Sequence, residues 1–291
     1  MKSFLSVICI SSIHFFSFAQ KDASAAFDSK KPFSIGIIDE LDSKILNEKR
    51  ILNIYLPDGY NENDSTKYNV IYLLDGSGNE DFIHIVGLVQ FYSFDWINQV
   101  PKSIVVGIEN VDRKRDFTFP SKVKEDLLLL PNSGRSEDFI AFIERELQPY
   151  INENYKVSNV NSIIGQSLGG LLATEILLKK TSLFDNYIIV SPSLWWDNGS
   201  LLNYHSELFS SDLNLDTKVY IAVGKEGLTP TEIPRVMEVD ANLLADQLTN
   251  SKFNHTEVFF DYLPSLNHAT ILHQAVSNSF NFLFQNSSSQ K

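Results

Sequence analysis

The stretch Ile163-Ile164-Gly165-Gln166-Ser167-Leu168-Gly169-Gly170, IIGQSLGG, decides the fold of this chain. G-x-S-x-G turns up by chance in many sequences, so its neighbours must carry the argument. Before it, Asn161 to Ile164 read as an apolar strand. After it, Leu171, Leu172, Ile176 and Leu177 recur at helical spacing. A serine between strand and helix, flanked by glycines that leave room for close backbone approach, has the setting of a nucleophile elbow. There the hydroxyl projects above the sheet edge at a helix N-terminus. The plain alternative is a structural turn. The spacing is neither G-x-G-x-x-G nor G-x-x-x-x-G-K-[ST], which sets aside dinucleotide and P-loop sites.

Upstream, Ile35 to Ile38, Arg50 to Leu56, Asn69 to Leu74 and Ser103 to Ile108 are rich in β-branched and aromatic residues and read as strands. The third and fourth are almost continuously apolar, as when helices cover both faces of a sheet. A helix is expected from Ser136 to Tyr155, with Ser136 as N-cap and Glu137 and Asp138 in the first turn. Its stripe is Phe139, Phe142, Ile143, Leu147, Tyr150 and Ile151. Downstream of the elbow come strand Tyr187 to Val190, strand Lys218 to Val223, helix Pro234 to Thr249, strand Thr256 to Tyr262 and helix Ala269 to Phe284. Alternation of β and α after an early set of strands predicts an α/β fold. Its sheet is mostly parallel, with an antiparallel start and helices on both faces.

A serine nucleophile needs a base, and the fold expects serine, acid and histidine in that order, the histidine after the last strand. His268 fits, following that strand and starting the final helix. His255 opens the strand, at the wrong end; His273 lies within the helix; His84 and His205 miss the position. His268 and His273 are five residues apart, without an H-E-x-x-H pattern, so no metal is expected. The acid should follow the strand before last, where Glu226 lies in Gly224-Lys225-Glu226-Gly227. A solvated loop glutamate is the alternative, with Asp240 as next candidate. The oxyanion donors are expected at the backbone N–H of Leu168 and in the loop Asp75-Gly76-Ser77-Gly78.

The first residues are expected to be removed. An apolar run from Phe4 to Phe18 ends in Ser17-Phe18-Ala19, the pattern of a signal peptide over residues 1–19. Residues 20–34 then form a polar arm, 35–285 a single domain, and 286–291 a frayed tail. The only cysteine, Cys9, lies in the apolar run, so the mature chain has no disulfide. A formal net charge of −12 argues against a nucleic-acid partner, which needs clustered cations. No second apolar segment reaches membrane-spanning length.

YLLDG (Tyr72 to Gly76), VVGIENVDRKRDFTFP (Val105 to Pro120), GQSLGG (Gly165 to Gly170), SPSLWWDN (Ser191 to Asn198) and LNHAT (Leu266 to Thr270) together resemble an esterase family of α/β-hydrolases. That family includes ferric enterobactin esterases, esterase D, some feruloyl esterases and the antigen 85 mycolyltransferases. The siderophore-esterase-like bacterial hydrolases are the most similar members. The resemblance implies Ser167 as nucleophile, His268 as base, Glu226 as acid, and oxyanion donors at Ser77 and Leu168. No metal, nucleotide or redox cofactor is implied. Arg113 and Arg115, in R-x-R-D, stand where a guanidinium could hold an anionic or catechol oxygen, or could pin the loop through Asp116. Trp195 and Trp196 could line an aromatic pocket or pack the loop. The expected activity is that of a secreted, periplasmic serine carboxylesterase acting on small-molecule esters of siderophore type. Acyl transfer through the same acyl-enzyme, feruloyl or acetyl polysaccharide esters, and a silent binding module are the alternatives.

Overall fold

A computed structural model describes residues 31–204, 216–229, 231, 234–250 and 256–284. The expected signal peptide, most of the arm, the tail, His205 and His255 lie outside these. The described strands and helices lie in one compact unit that begins at Ile35.

Its sheet has eight strands: β1 Ile37–Ser43, β2 Glu48–Tyr55, β3 Tyr68–Leu73, β4 Ser103–Ile108, β5 Val157–Gln166, β6 Asn186–Val190, β7 Thr217–Gly224 and β8 Thr256–Leu263. They lie in the order β1-β2-β4-β3-β5-β6-β7-β8. β1 pairs antiparallel with β2, and β2 antiparallel with β4; every later pairing is parallel. This is the mostly parallel sheet with an antiparallel start that the sequence predicts. The helices are α1 Phe82–Tyr92, α2 Arg113–Asp116, α3 Lys124–Leu129, α4 Ser136–Phe142, α5 Gln148–Asn154, α6 Leu168–Lys179, α7 Trp196–Gly199, α8 Met237–Asn250 and α9 Leu272–Leu283.

Strand alternation builds two cores from one sheet. On one face Val70, Tyr72, Ile104, Val106, Val219 and Ile221 meet Phe139 and Phe142 of α4, Ile176 of α6 and Leu244 of α8. On the other, Ile71, Leu73, Val105, Tyr220 and Ala222 meet Ile85 and Val89 of α1 and Val276 and Phe280 of α9. Because every central strand is covered twice, its sequence reads as continuously apolar.

Several boundaries differ from expectation. β1 extends through the polar run Asp39 to Ser43, because hairpin pairing with β2 from Ile37↔Ile54 to Ser43↔Glu48 fixes it, and not apolar content. α1, not expected from the sequence, buries Phe82, Ile85, Val86 and Val89 at helical spacing. The long predicted helix is interrupted by a π-helical turn, Ile143–Leu147, immediately ahead of Pro149. Proline supplies no N–H and crowds the carbonyl four residues back, which favours such a turn. Ser136 is not the N-cap. Arg135 takes that position, while Ser136 is buried with its N–H donated to Thr118 O at 3.0 Å. His268 does not start α9, for Asn267 gathers the preceding turn. Its Oδ1 accepts from Ala269 N at 3.0 Å, and its carbonyl from Ile271 N at 3.1 Å.

The π-helical turn presents Glu146 to the β1–β2 connection. Its carboxylate accepts from Ser43 Oγ, from Lys44 N at 2.8 Å and from Ile45 N at 3.1 Å. Replacing Glu146 by Ala orphans these donors, and bonds to a charged acceptor contribute about 1.5–3 kcal/mol. The Glu146→Ala protein should unfold at lower urea concentration with an unchanged m-value, the shift corresponding to about 2 kcal/mol.

Candidate active site

Chain order reverses at the centre of the sheet: β4 lies on one side of β3 and β5 on the other. α/β sheets hold ligands at such a switch point, beyond the carboxyl ends of the strands. The loop after β3 carries Asp75 and Ser77, and β5 runs directly into Ser167.

Ser167 has φ 60° and ψ −119°. That conformation costs a non-glycine residue about 1–3 kcal/mol and persists only where its surroundings enforce it. The Ser167 N–H donates to Val190 O at 3.1 Å, and its carbonyl accepts from Leu171 N at 2.9 Å and Ser193 N at 3.0 Å. The end of β6 thus holds the turn from both sides. Gly165 makes the sharp return possible, since a Cβ there would lie 2.3 Å from Gly169 O. Leu168 opens α6, so its N–H has no intrahelical acceptor and faces outward at the positive end of the helix. Ser77 is buried in the loop after β3, where its Oγ donates to Asn79 Oδ1 at 2.7 Å and Glu80 Oε2 at 2.9 Å.

His268 Nδ1 lies 2.8 Å from Glu226 Oε2, with the glutamate side chain 2 % exposed and the imidazole 44 %. Ser191 Oγ donates to the other oxygen, Oε1. Burial alone would raise the Glu226 pKa, but the bonds from His268 and Ser191 outweigh it and hold the carboxyl below its usual range. The loop bearing Glu226 is itself anchored, for Glu238 on α8 accepts from Glu226 N at 2.9 Å and Gly227 N at 3.1 Å. Gln166 Nε2 donates to the His268 carbonyl, so the neighbour of Ser167 holds the loop that carries the imidazole. Ser167 Oγ has Ser193 Oγ as partner at 3.4 Å, a weak contact. Among the described residues no bond joins it to the imidazole, and such bonds commonly tighten only with substrate present. Asp240 is committed elsewhere, to Arg235 at 2.7 Å through both oxygens.

Ser167, Gln166, Asp75, Glu80, Asp81 and Arg113 line a cavity of about 400 Å³. Larger grooves of about 780 and 700 Å³ lie elsewhere, and neither is lined by Ser167. Arg113 reaches the cavity but is clamped on Asp75, Nε to Oδ1 at 2.7 Å and Nη2 to Oδ2 at 2.8 Å, with Asn110 adding a bond at 2.7 Å. Asp81 is pushed up to about 6 by burial, reinforced by Asp75 and Glu80.

Arg115 and both tryptophans do not line this cavity. Arg115 binds Glu48 at 2.6 Å and Asp116 at 2.7 Å, beside Arg50, which is 1 % exposed and bonded to Asp116 at 2.5 Å. Trp196 is fully buried with its indole N–H donated to Phe119 O at 2.8 Å, and Trp195 is 8 % exposed. The loop-pinning and loop-packing alternatives describe these three placements. Sequence reasoning passed over Asp75, Asp81, Ser191, Gln166 and Glu238. Asp75, Gln166 and Ser191 lay inside stretches already singled out, YLLDG, GQSLGG and SPSLWWDN, but were given no role of their own.

A family model described as Putative esterase matches residues 43–270. The ferri-bacillibactin esterase BesA of Bacillus subtilis (strain 168) is 31% identical over 193 residues, 62% of this chain and 67% of the relative. The siderophore enterobactin esterase of Emericella nidulans is 38% identical over 72 residues, 24% of each protein. Among solved structures, an IroE-like serine hydrolase from Shewanella oneidensis superposes with a TM-score of 0.74 at 30% identity, covering 86% of this chain and 80% of the other. The BES protein from Bacillus cereus gives 0.72 at 30% identity, covering 87% and 96%.

Two outcomes follow from the charge arrangement. Asp116→Ala leaves Arg50 buried with one fewer partner and should destabilise the fold by about 3 kcal/mol, read from chemical denaturation. Glu226, with its folded pKa depressed, contributes stability that is present above the unfolded glutamate value of about 4.3 and is lost as pH falls through the folded value. Glu226→Gln should therefore flatten the decline of stability with acid below that point, in melting curves taken across pH.

Proposed function

The chain belongs to the Putative esterase family and is a carboxylic ester hydrolase; from that premise we propose that it is a serine esterase working through Ser167, His268 and Glu226 on siderophore-type esters. The observation that carries this reading is the 2.8 Å contact between His268 Nδ1 and a buried Glu226 carboxylate, on loops tied to an elbow-shaped Ser167.

With Nδ1–H donated to Glu226, the proton-free nitrogen of a neutral imidazole is Nε2, which is the one able to act as base. Ser167 Oγ attacks the ester carbonyl carbon while Nε2 takes its proton. The carbonyl oxygen, now an anion, is received by the N–H groups of Leu168 and Ser77. Collapse of the tetrahedral species breaks the ester C–O bond, and the imidazolium protonates the departing alcohol. Water then attacks the acyl-enzyme with the same histidine as base, releasing the acid and restoring Ser167. Glu226 remains ionised throughout and stabilises the imidazolium. The fixed donors matter most, because they need no reorganisation as charge develops.

The siderophore assignment is supported by the names of the relatives, ferri-bacillibactin and enterobactin esterases among them. Export to the periplasm is part of the same proposal and rests on the apolar run from Phe4 to Phe18 with Ser17-Phe18-Ala19 after it.

Purified protein should cleave p-nitrophenyl butyrate and a siderophore ester. Ser167→Ala should lose up to about 10⁶-fold in kcat, and Glu226→Gln up to about 10⁴-fold. A Ser167→Ala protein as active as wild type would overturn the assignment. Activity confined to simple esters would remove siderophores as substrates.

A further inference from the structure

The cavity beside Ser167 has an unbalanced charge. Three carboxylates line it, from Asp75, Glu80 and Asp81, against one cation, Arg113. The guanidinium is spent on Asp75 in a two-bond clamp, so that pair presents little net charge. Glu80 is exposed and accepts from Ser77 Oγ and weakly from Asn110. Asp81 differs from both. It occupies the N-cap of α1, where its backbone is bonded to Asp75 O and Ile85 N, yet its side chain makes no capping bond, and among the described residues its carboxylate has no hydrogen bond or ion pair. It is half-buried on the wall of a cavity that also contains the elbow serine.

A half-buried carboxylate without a partner carries an uncompensated desolvation cost. Several buried acids of this fold have a cationic partner or a hydrogen-bond donor: Asp116 has Arg50 and Arg115, Asp240 has Arg235, Glu226 has His268, and Asp126 accepts from Ser121 Oγ and Asp197 N. The unmatched one faces the space a substrate would enter.

We propose that Asp81 is a specificity-determining residue: its carboxylate selects esters bearing a cationic group near the scissile bond and disfavours polyanionic ones. This rests on the serine-esterase reading above and narrows its substrate class. Arg113 keeps its place on the cavity wall, but its charge is largely balanced by the clamp on Asp75.

Titration gives a second handle. The groups facing Asp81 are Asp75 and Glu80, which oppose its ionisation, and His84 and Arg113, which favour it; burial opposes it most. With the carboxyl raised to about 6, cation selection should be complete well above that pH and fade below it. A ratio of two esters cancels any pH effect common to both.

The test uses two matched sets of esters, one with a trimethylammonium, neutral or carboxylate terminus on the acyl chain, the other with those termini on the alcohol. The readout is the ratio of kcat/KM for the cationic ester to that for the anionic ester. In at least one set the wild-type ratio should exceed about tenfold at neutral pH. It should fall as pH drops through about 6, and drop by about tenfold in Asp81→Asn. A wild-type ratio near one in both sets overturns the proposal, and so does a ratio unmoved by pH and by Asp81→Asn. Should Asp81→Asn fail to fold, the wild-type pH series decides alone. Absence of selectivity in the wild type, with neutral esters still cleaved, counts against the Asp81 proposal only. Absence of Ser167-dependent cleavage for every ester counts against the esterase reading.

Discussion

The site depends on one backbone constraint, the positive φ of Ser167. A serine does not hold that conformation unaided, and the strain of about 1–3 kcal/mol has to be met by the surroundings. Here β6 meets it: the Val190 carbonyl receives the serine N–H, and Ser193 N–H returns to the serine carbonyl. The parallel register of β5 with β6, from Ser162↔Asn186 to Gln166↔Val190, sets those atoms in place. The apolar content of the two strands, buried on both faces, locks the register. The path therefore runs from hydrophobic patterning to sheet pairing, then to strain at one residue, and from that strain to a hydroxyl carried on the outer turn.

The same economy governs charge. Three of the buried acids show the contrast. Asp116 sits between two arginines, Asp75 is clamped by Arg113, and Glu226 is shared by a hydroxyl and an imidazole. In the first two the partner is permanently charged and the pair is structural. In the third the partner can gain or lose a proton, and that difference separates scaffold from chemistry. An arginine opposite Glu226 would be equally stable and chemically idle.

Much of this was legible in the sequence. The central strands β3 to β7 were placed near their positions because buried parallel strands leave continuous apolar runs, whereas β1 was found only at its apolar start. The elbow showed itself because its glycines and serine are contiguous. Order and strand position single out Ser167, Glu226 and His268 as candidates, and the fold brings the last two within 2.8 Å of one another. What remained hidden was of another kind. α1 carries a helical stripe but begins in a run of loop residues that masks it. The Arg113–Asp75 clamp links residues 38 apart, and no local pattern says which aspartate an arginine will choose. R-x-R-D suggested a bridge within the motif, and that holds for Arg115 only. Trp195 and Trp196 look like pocket residues because they are large and follow a strand, yet size serves burial equally well, and the Phe119 carbonyl accounts for the indole N–H of Trp196.

The outermost strands among the described residues are β1 and β8, each bonded on one side. Open edges invite pairing with another chain, and natural sheets blunt them with charge. β1 carries exposed Glu40 and Asp42, and β8 carries exposed Glu257 beside exposed Phe259 and Tyr262. Two copies approaching edge to edge would bring like charges together, in a protein whose formal net charge is already −12. The acidity of this chain thus acts as a colloidal safeguard at its margins.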